Sequence, residues 1–184
     1  KGRALPARVR LFVAIDFPAE LRDALPEAAR PLRDAAPSAR WYPAEKLHLT
    51  VKFLGEQPDA ALERLVPALG EVASRHRPME LVLAGAGVFP NFRRPRVVWI
   101  GVEPGPRLEL LYHDTEVACE RLGFELEGRV FRPHVTIGRV GAALAGEERR
   151  ALERAAAALQ LHETAWVETL DLVHSETAAG GSRY

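Results

Sequence analysis

The segment Leu47-His48-Leu49-Thr50-Val51-Lys52-Phe53-Leu54-Gly55 alternates apolar and polar side chains at period two, the pattern of a half-buried strand. Leu47, Leu49, Val51 and Phe53 fall on one face, and His48, Thr50 and Lys52 on the other. A second segment, Pro133-His134-Val135-Thr136-Ile137-Gly138-Arg139, repeats the pattern, with Val135 and Ile137 opposing His134 and Thr136. A His and a Thr two apart on a strand share a face, so each segment presents an imidazole beside a hydroxyl. One such pair is commonplace on a polar strand face. Two pairs, 86 positions apart in a chain with six His and six Thr, call for a reason.

The same offset recurs. Adding 86 carries Leu11–Asp16 onto Val97–Val102, the helical pattern after Pro58 onto one beginning near Leu144, and Glu80–Ala84 onto Trp166–Leu170. This is one supersecondary unit used twice. Folded about a pseudo-two-fold axis, it brings the two His-x-Thr strands face to face. The expected architecture is α+β: a duplicated bilobal fold, two antiparallel or mixed sheets facing a central cleft, and helices outside. Neither half has a full core of its own. The chain is therefore read as one bilobal domain over residues 1–184, with pseudo-repeats about 9–90 and 96–177.

Taken in order, Val9–Phe17 is almost continuously apolar, as in a strand covered on both faces. A helix follows Pro18 with Leu21, Leu25, Ala28 and Leu32 on one side, and Pro26 and Pro31 are expected to kink or break it. Gly55 is expected to end the first motif strand. Asp59 is placed to cap a helix whose stripe is Leu62, Leu65, Val66, Leu69 and Val72. Glu80–Val88 reads as a strand, and Phe89–Pro95 as the loop joining the halves. The second half runs through a strand at Val97–Val102 and a helix from Pro106, with Leu108, Leu111, Thr115, Ala118 and Leu122 inward and Gly123 as its stop. A short strand at Phe124–Leu126, a helix over about Gly146–Leu161, a strand at Val167–His174 and a Gly/Ser tail looping to Tyr184 complete the pattern.

Composition limits the partners. Lys+Arg and Asp+Glu balance at 25 each, so no broad basic surface favours long nucleic acid, and any RNA contact is local. The single Cys119 excludes an internal disulfide framework and reads as a buried structural thiol. No apolar run reaches the roughly 20 residues of a membrane span. Lys1–Arg10 lacks the apolar core of a signal peptide, so a cytoplasmic location without membrane association is expected.

Two facing imidazoles suit a reaction that needs a base on one side and an acid on the other. With an ordinary pKa near 6.5, one ring can be neutral while the other is protonated. Phosphodiester cleavage uses that division, and the Thr hydroxyls can bond the non-bridging oxygens. Arg132, two before His134, is placed to add positive charge, and Lys52 to do so from the other strand. Zinc needs three or four ligands, but no Cys, Asp or Glu sits at ligand spacing beside either motif. The expectation is no metal and no cofactor. His76, His113, His162 and His174 have no matching partners and read as solvated or structural. Trp41, Tyr42, Phe53 and Phe131 flank the motifs and are candidates to stack on a base, although core packing is the expected role of Phe53.

These features resemble the 2H phosphoesterase superfamily, marked by two His-x-Thr-x motifs in a duplicated bilobal fold. Within it the chain looks like the RNA 2′,3′-cyclic phosphodiesterases, historically called 2′-5′ RNA ligases. The resemblance rests on Leu11–Ile15, Leu47–Gly55, Phe89-Pro90, Phe131–Thr136 and the end at Arg183-Tyr184. It implies metal-independent hydrolysis of RNA ends or nucleotides carrying a 2′,3′-cyclic phosphate to the 2′-phosphomonoester. Separately, a monomer is expected. His48 would be the proton donor, His134 the proton acceptor, and Thr50 and Thr136 the phosphate ligands. Arg132 and Arg139 as phosphate contacts are a weaker inference from position, since Arg139 has the wrong strand parity unless the strand bends at Gly138. Two alternatives stay open: the reverse reaction, joining a cyclic phosphate to a 5′-hydroxyl as a 2′-5′ bond, and an RNA-end-binding module without turnover.

Overall fold

Five consecutive residues, Leu11–Ile15, are buried on both sides of the first strand, β1 (Arg8–Ile15), and the sheet is built outward from it. The structure is a computed structural model. It describes the backbone of residues 8–178 and 181–183 and side chains through residue 175, so the amino-terminal segment and Tyr184 lie outside the described residues. After β1 come helices α1 (Ala19–Ala28) and α2 (Arg30–Ala35), the two-residue strand β2 (Arg40–Trp41), a 3-10 turn at Ala44–Lys46 and the first motif strand, β3 (Leu49–Pro58). Then follow α3 (Leu62–Ser74), β4 (Met79–Phe89), β5 (Val97–Val102), α4 (Pro106–Arg121) and the second motif strand, β6 (His134–Arg139). Helix α5 (Gly146–Ala158) and strands β7 (His162–Val167), β8 (Asp171–Ala178) and β9 (Gly181–Arg183) complete the described chain.

The strands lie in the order β7-β4-β5-β6-β3-β1-β8-β9, with β2 added to β6, and each pairing is antiparallel. Two groups of four are joined by a single register pair, Leu49 with Val135. This is the duplicated α+β architecture, but each lobe borrows from the other half of the chain. β4, from the first half, pairs with β5 and β7; β8, from the second, pairs with β1. The helices follow suit, α3 packing on α4 and α2 on α5. Ser38, just past α2, ties into this second pair through its hydroxyl and N–H to the Glu148 carboxylate, which these bonds hold below its ordinary pKa.

Local chemistry explains where the elements begin and end. Pro18 precedes α1, which runs through Pro26 without ending there; the chain breaks at Ala29, ahead of Pro31 in the first turn of α2, so the buried stripe is Leu25, Ala29 and Leu32 with Ala28 outside. Gly123 ends α4 with φ +93 in a Schellman arrangement: its N–H bonds the Glu120 carbonyl and that of Phe124 bonds the Cys119 carbonyl. Asp59 opens a 3-10 turn ahead of α3 and makes no side-chain cap, and Val66 faces water.

Several expectations are corrected. β3 does not stop at Gly55, which takes φ +71 at a register shift and lets the strand continue to Pro58. Phe124–Leu126 is not a strand, because side chains occupy its backbone: Lys52 Nζ donates to the Glu125 carbonyl and Glu116 Oε2 accepts the Glu127 N–H. The single strand expected at Val167–His174 is two, β7 and β8, in opposite lobes. Part of the tail expected to loop pairs with β8 as β9.

Candidate functional site

Leu49 and Val135 are partners and both face the core, so their neighbours face the other way. His48, Thr50, His134 and Thr136 therefore surround the one junction between the lobes. In regular antiparallel geometry His48 and His134 are diagonal neighbours, about 7–8 Å apart at the backbone. That is room for one phosphoryl group between two rings.

The two motifs are built alike to the residue. The burial sequence from His48 to Phe53 is the same as that from His134 to Arg139: half-buried, buried, half-buried, buried, buried, exposed. Each strand slips register at the same point. Opposite β1 the chain skips Val51, and opposite β5 it skips Ile137. These bulges reverse the alternation beyond each Thr. Phe53 and Arg139 consequently join the His-Thr face, while Lys52 and Gly138 turn inward.

Both imidazoles are held from behind. His134 Nδ1 donates to the Arg132 carbonyl at 2.6 Å, leaving Nε2 as its second nitrogen. His48 makes the equivalent backbone hydrogen bond to Lys46, and its Nε2 lies 3.1 Å from Thr50 Oγ1. Lys46 and Arg132 are themselves 86 residues apart, so the anchoring is part of the repeat. Aromatic rings back each imidazole. Phe12 stacks on His48 at 4.8 Å, Phe89 meets His134 edge-on at 4.9 Å, and Trp99 lies 6.3 Å from His134. Burial among these groups lowers both pKa values from the ordinary 6.5, opposed by the backbone bonds and, at His48, by the Asp16 carboxylate. Both rings are therefore mainly neutral at pH 7 without ligand.

The remaining candidates separate. Lys52 does not reach this face. Its Nζ is 2.8 Å from Glu116 Oε1, in a pair whose side chains are 5% and 7% exposed. Arg139 does reach it, with Nε donating to Tyr42 Oη at 2.8 Å. Arg132 is exposed, and its carbonyl rather than its guanidinium engages the site. Trp41 packs over Gly138, where an added Cβ would lie 2.9 Å from the indole, and Phe131 stacks on Tyr112. Phe53, expected in the core, is 66% exposed next to Phe12. His113, His162 and His174 are exposed, and His76 is 2.9 Å from Asp114 Oδ2, between the end of α3 and α4. Cys119 is buried and its thiol is pushed up to about 11, so it stays protonated. Among the described residues no three His, Cys, Asp or Glu side chains converge to hold a metal ion, and no helix is long and apolar enough to cross a membrane.

The sequence reading missed Phe12, Phe89 and Trp99, since nothing in an apolar strand marks which ring will back an imidazole. Gly87 was the available signal for Trp99: a Cβ there would clash with the indole. Gly87→Ala is expected to push Trp99 toward His134 and cost about 1–3 kcal/mol, read by urea denaturation. An unchanged midpoint would show that the indole moves aside freely.

The sequence model of the LigT-like phosphoesterases matches residues 15–99 and again residues 100–184. The chain belongs to this family. It is a phosphoesterase, and the two matches meet close to the start of its second half. RNA 2′,3′-cyclic phosphodiesterases of Geobacillus stearothermophilus and Methanothermobacter thermautotrophicus are each 35% identical to it, over 132 and 133 residues. Both alignments cover 72% of this chain; they span 42% of the first protein, less than half its length, and 72% of the second. Among solved structures, E. coli LigT complexed with 3′-AMP superposes with a TM-score of 0.68 at 29% identity, covering 97% of this chain and 94% of that one.

Proposed function

We propose that this phosphoesterase hydrolyses 2′,3′-cyclic phosphates of RNA ends or nucleotides to 2′-phosphomonoesters by two-histidine acid/base catalysis without metal. The observation that carries this reading is the quartet His48, Thr50, His134 and Thr136 around the Leu49–Val135 pair, with both imidazoles anchored from behind. The names of the relatives, and the 3′-AMP held by E. coli LigT, support the substrate class.

In this mechanism the phosphate sits between the rings, and Thr50 and Thr136 donate to its non-bridging oxygens. Neutral His134 takes a proton from water as its oxygen bonds to phosphorus. The bond from phosphorus to O3′ breaks, and protonated His48 delivers a proton to that oxygen. The Nδ1 anchors keep each Nε2 directed at the reacting atoms, so little ordering is left for the bound state. Arg139, fixed by Tyr42, adds positive charge on the same face. The whole chain acts as one unit, because each half supplies one of the two motifs.

The test is incubation with each nucleoside 2′,3′-cyclic phosphate in the presence of chelator, with the product assigned by phosphorus NMR. The reading requires the 2′-monophosphate at a rate indifferent to chelator. A 3′-product, or no turnover of any cyclic substrate, would overturn it; oligomers joined when 5′-hydroxyl ends are added would favour the ligase direction.

The lowered pKa values set the pH response. In kcat/KM, which reports the free enzyme, the base works above its depressed pKa and the acid below its own. Both limbs of the bell move toward acid, placing the maximum below pH 6.5. A bound phosphate anion stabilises protonated imidazole, so the kcat profile lies at higher pH than that of kcat/KM. A kcat/KM maximum above pH 7 would contradict the burial argument.

A further inference from the structure

The two motif strands meet unequal partners at their histidines. Beside the first, Ala14 lies opposite Thr50 and Ile15 opposite Leu49; beside the second, Trp99 lies opposite Thr136 and Ile100 opposite Val135. The next pair in the second lobe is Gly101 with His134. The same step in the first lobe brings Asp16 opposite His48. Directly opposed side chains share a face, about 4.5–5.5 Å apart at Cβ. Opposite His134 no side chain has room, since a Cβ on Gly101 would lie 2.6 Å from the Ala84 carbonyl oxygen. The site is symmetric in its His-Thr quartet and asymmetric in what stands across from each imidazole.

The Asp16 carboxylate is held in place. Its Oδ1 accepts the Phe17 N–H at 2.9 Å, and Arg22 Nη1 donates to Oδ2 at 3.1 Å. Other charged groups surround His48. The 3-10 turn before it carries Glu45, which is exposed, and Lys46, whose backbone bonds the ring. β6 contributes His134 and, further along, Arg139 bonded to Tyr42. On β8, Asp171 lies opposite Ala14 and accepts the Thr169 hydroxyl at 3.3 Å. Asp16 is the one whose charge favours the protonated His48 ring. At His134 the backbone bond to Arg132 is what favours protonation.

We propose that Asp16 is a positioning residue of this site: its carboxylate keeps the proton on His48 and so makes that ring, rather than His134, the acid. The inference rests on the proposed two-histidine cyclic phosphodiesterase. A carboxylate across from one ring and bare backbone across from the other assign acid and base to two motifs that look interchangeable in sequence. The Asp16 side chain is 50% exposed and is shared with Arg22, so its field is damped and the expected effect is moderate.

The experiment records kcat/KM against pH on adenosine 2′,3′-cyclic phosphate for wild type, Asp16→Asn and Asp16→Glu. Imidazole NMR titration follows His48 in the same proteins without ligand. In kcat/KM the alkaline limb reports the acid and the acid limb the base. Asp16→Asn keeps an acceptor for the Phe17 N–H and loses the charge. Its alkaline limb should move toward acid, costing about 3- to 10-fold at pH 8, while the acid limb stays in place. The His48 resonance should titrate at lower pH to match. Asp16→Glu retains the charge and should keep the limb near its wild-type position. A poorly folded variant scales every rate alike, so the position of the limb decides and not its height. A limb and a His48 titration unmoved in Asp16→Asn, or moved equally in Asp16→Glu, overturn the role of Asp16 and leave the phosphodiesterase intact. Failure of wild type to hydrolyse the cyclic phosphate overturns the phosphodiesterase reading itself, and this inference with it.

Discussion

Replacing His48 or His134 by alanine lowers kcat on a nucleoside 2′,3′-cyclic phosphate by about 10²–10⁴-fold each, the range of positioned general acid or base catalysis. The double variant falls well short of the product of the two losses, because groups that act on one transition state are not additive. Neither ring is needed for the core. Each is half-buried, and the residue behind it, Leu49 or Val135, carries the packing. If Thr50, Thr136 and Arg139 hold the phosphate as proposed, KM should therefore change little. Steady-state kinetics on the three variants checks this. A single variant retaining more than about a tenth of wild-type kcat would remove that histidine from the chemistry.

Removing one partner of the Lys52–Glu116 pair has the largest expected effect on stability. Both side chains are almost fully enclosed, and Lys52 Nζ also donates to the Glu125 carbonyl while Glu116 Oε2 accepts the Glu127 N–H. Glu116→Ala strands a buried ammonium and a backbone donor, and Lys52→Met strands a buried carboxylate. Each is expected to cost about 3–5 kcal/mol. In a chain of this size that lowers the melting temperature by about 6–20 °C. A Lys52→Met/Glu116→Leu double variant leaves no unpaired charge and should recover much of the loss. The segment after α4, released from these bonds, leads directly to His134, so activity should suffer with stability. Thermal melts of the three variants decide the matter: equal destabilisation in single and double variants would mean that packing volume, not charge, governs the position.

The pair also explains what the sequence conceals. At the inward position one step after each bulge, the second motif has Gly138, under Trp41, whereas the first has Lys52. Strict alternation placed Lys52 beside His48 and Phe53 in the core, and a single skipped residue exchanged them. A bulge leaves no compositional mark, so the reading was sound through Thr50 and inverted beyond it. Arg139 gained the His-Thr face by the same slip. Periodicity and the 86-residue offset did convey the duplication, the strand faces at His48, Thr50, His134 and Thr136, and the Gly123 stop. They did not convey which strands pair. β4 and β8 exchange lobes because a repeat specifies local order, whereas pairing is fixed by contacts made across the whole chain. The aromatic backing of the imidazoles was hidden likewise, since Phe12 in an apolar run looks like any other core residue.

The most direct test is the pH dependence of kcat/KM in the single histidine variants, measured on the residual activity. Wild type gives a bell whichever ring is the acid. If His48 donates and His134 accepts, His48→Ala loses the alkaline limb, so its rate rises with pH to a plateau. His134→Ala loses the acid limb and declines steadily as pH rises. The reverse pattern would exchange the two roles and, with them, the side on which the nucleoside lies. A bell retained in both variants would contradict two-histidine acid/base catalysis altogether.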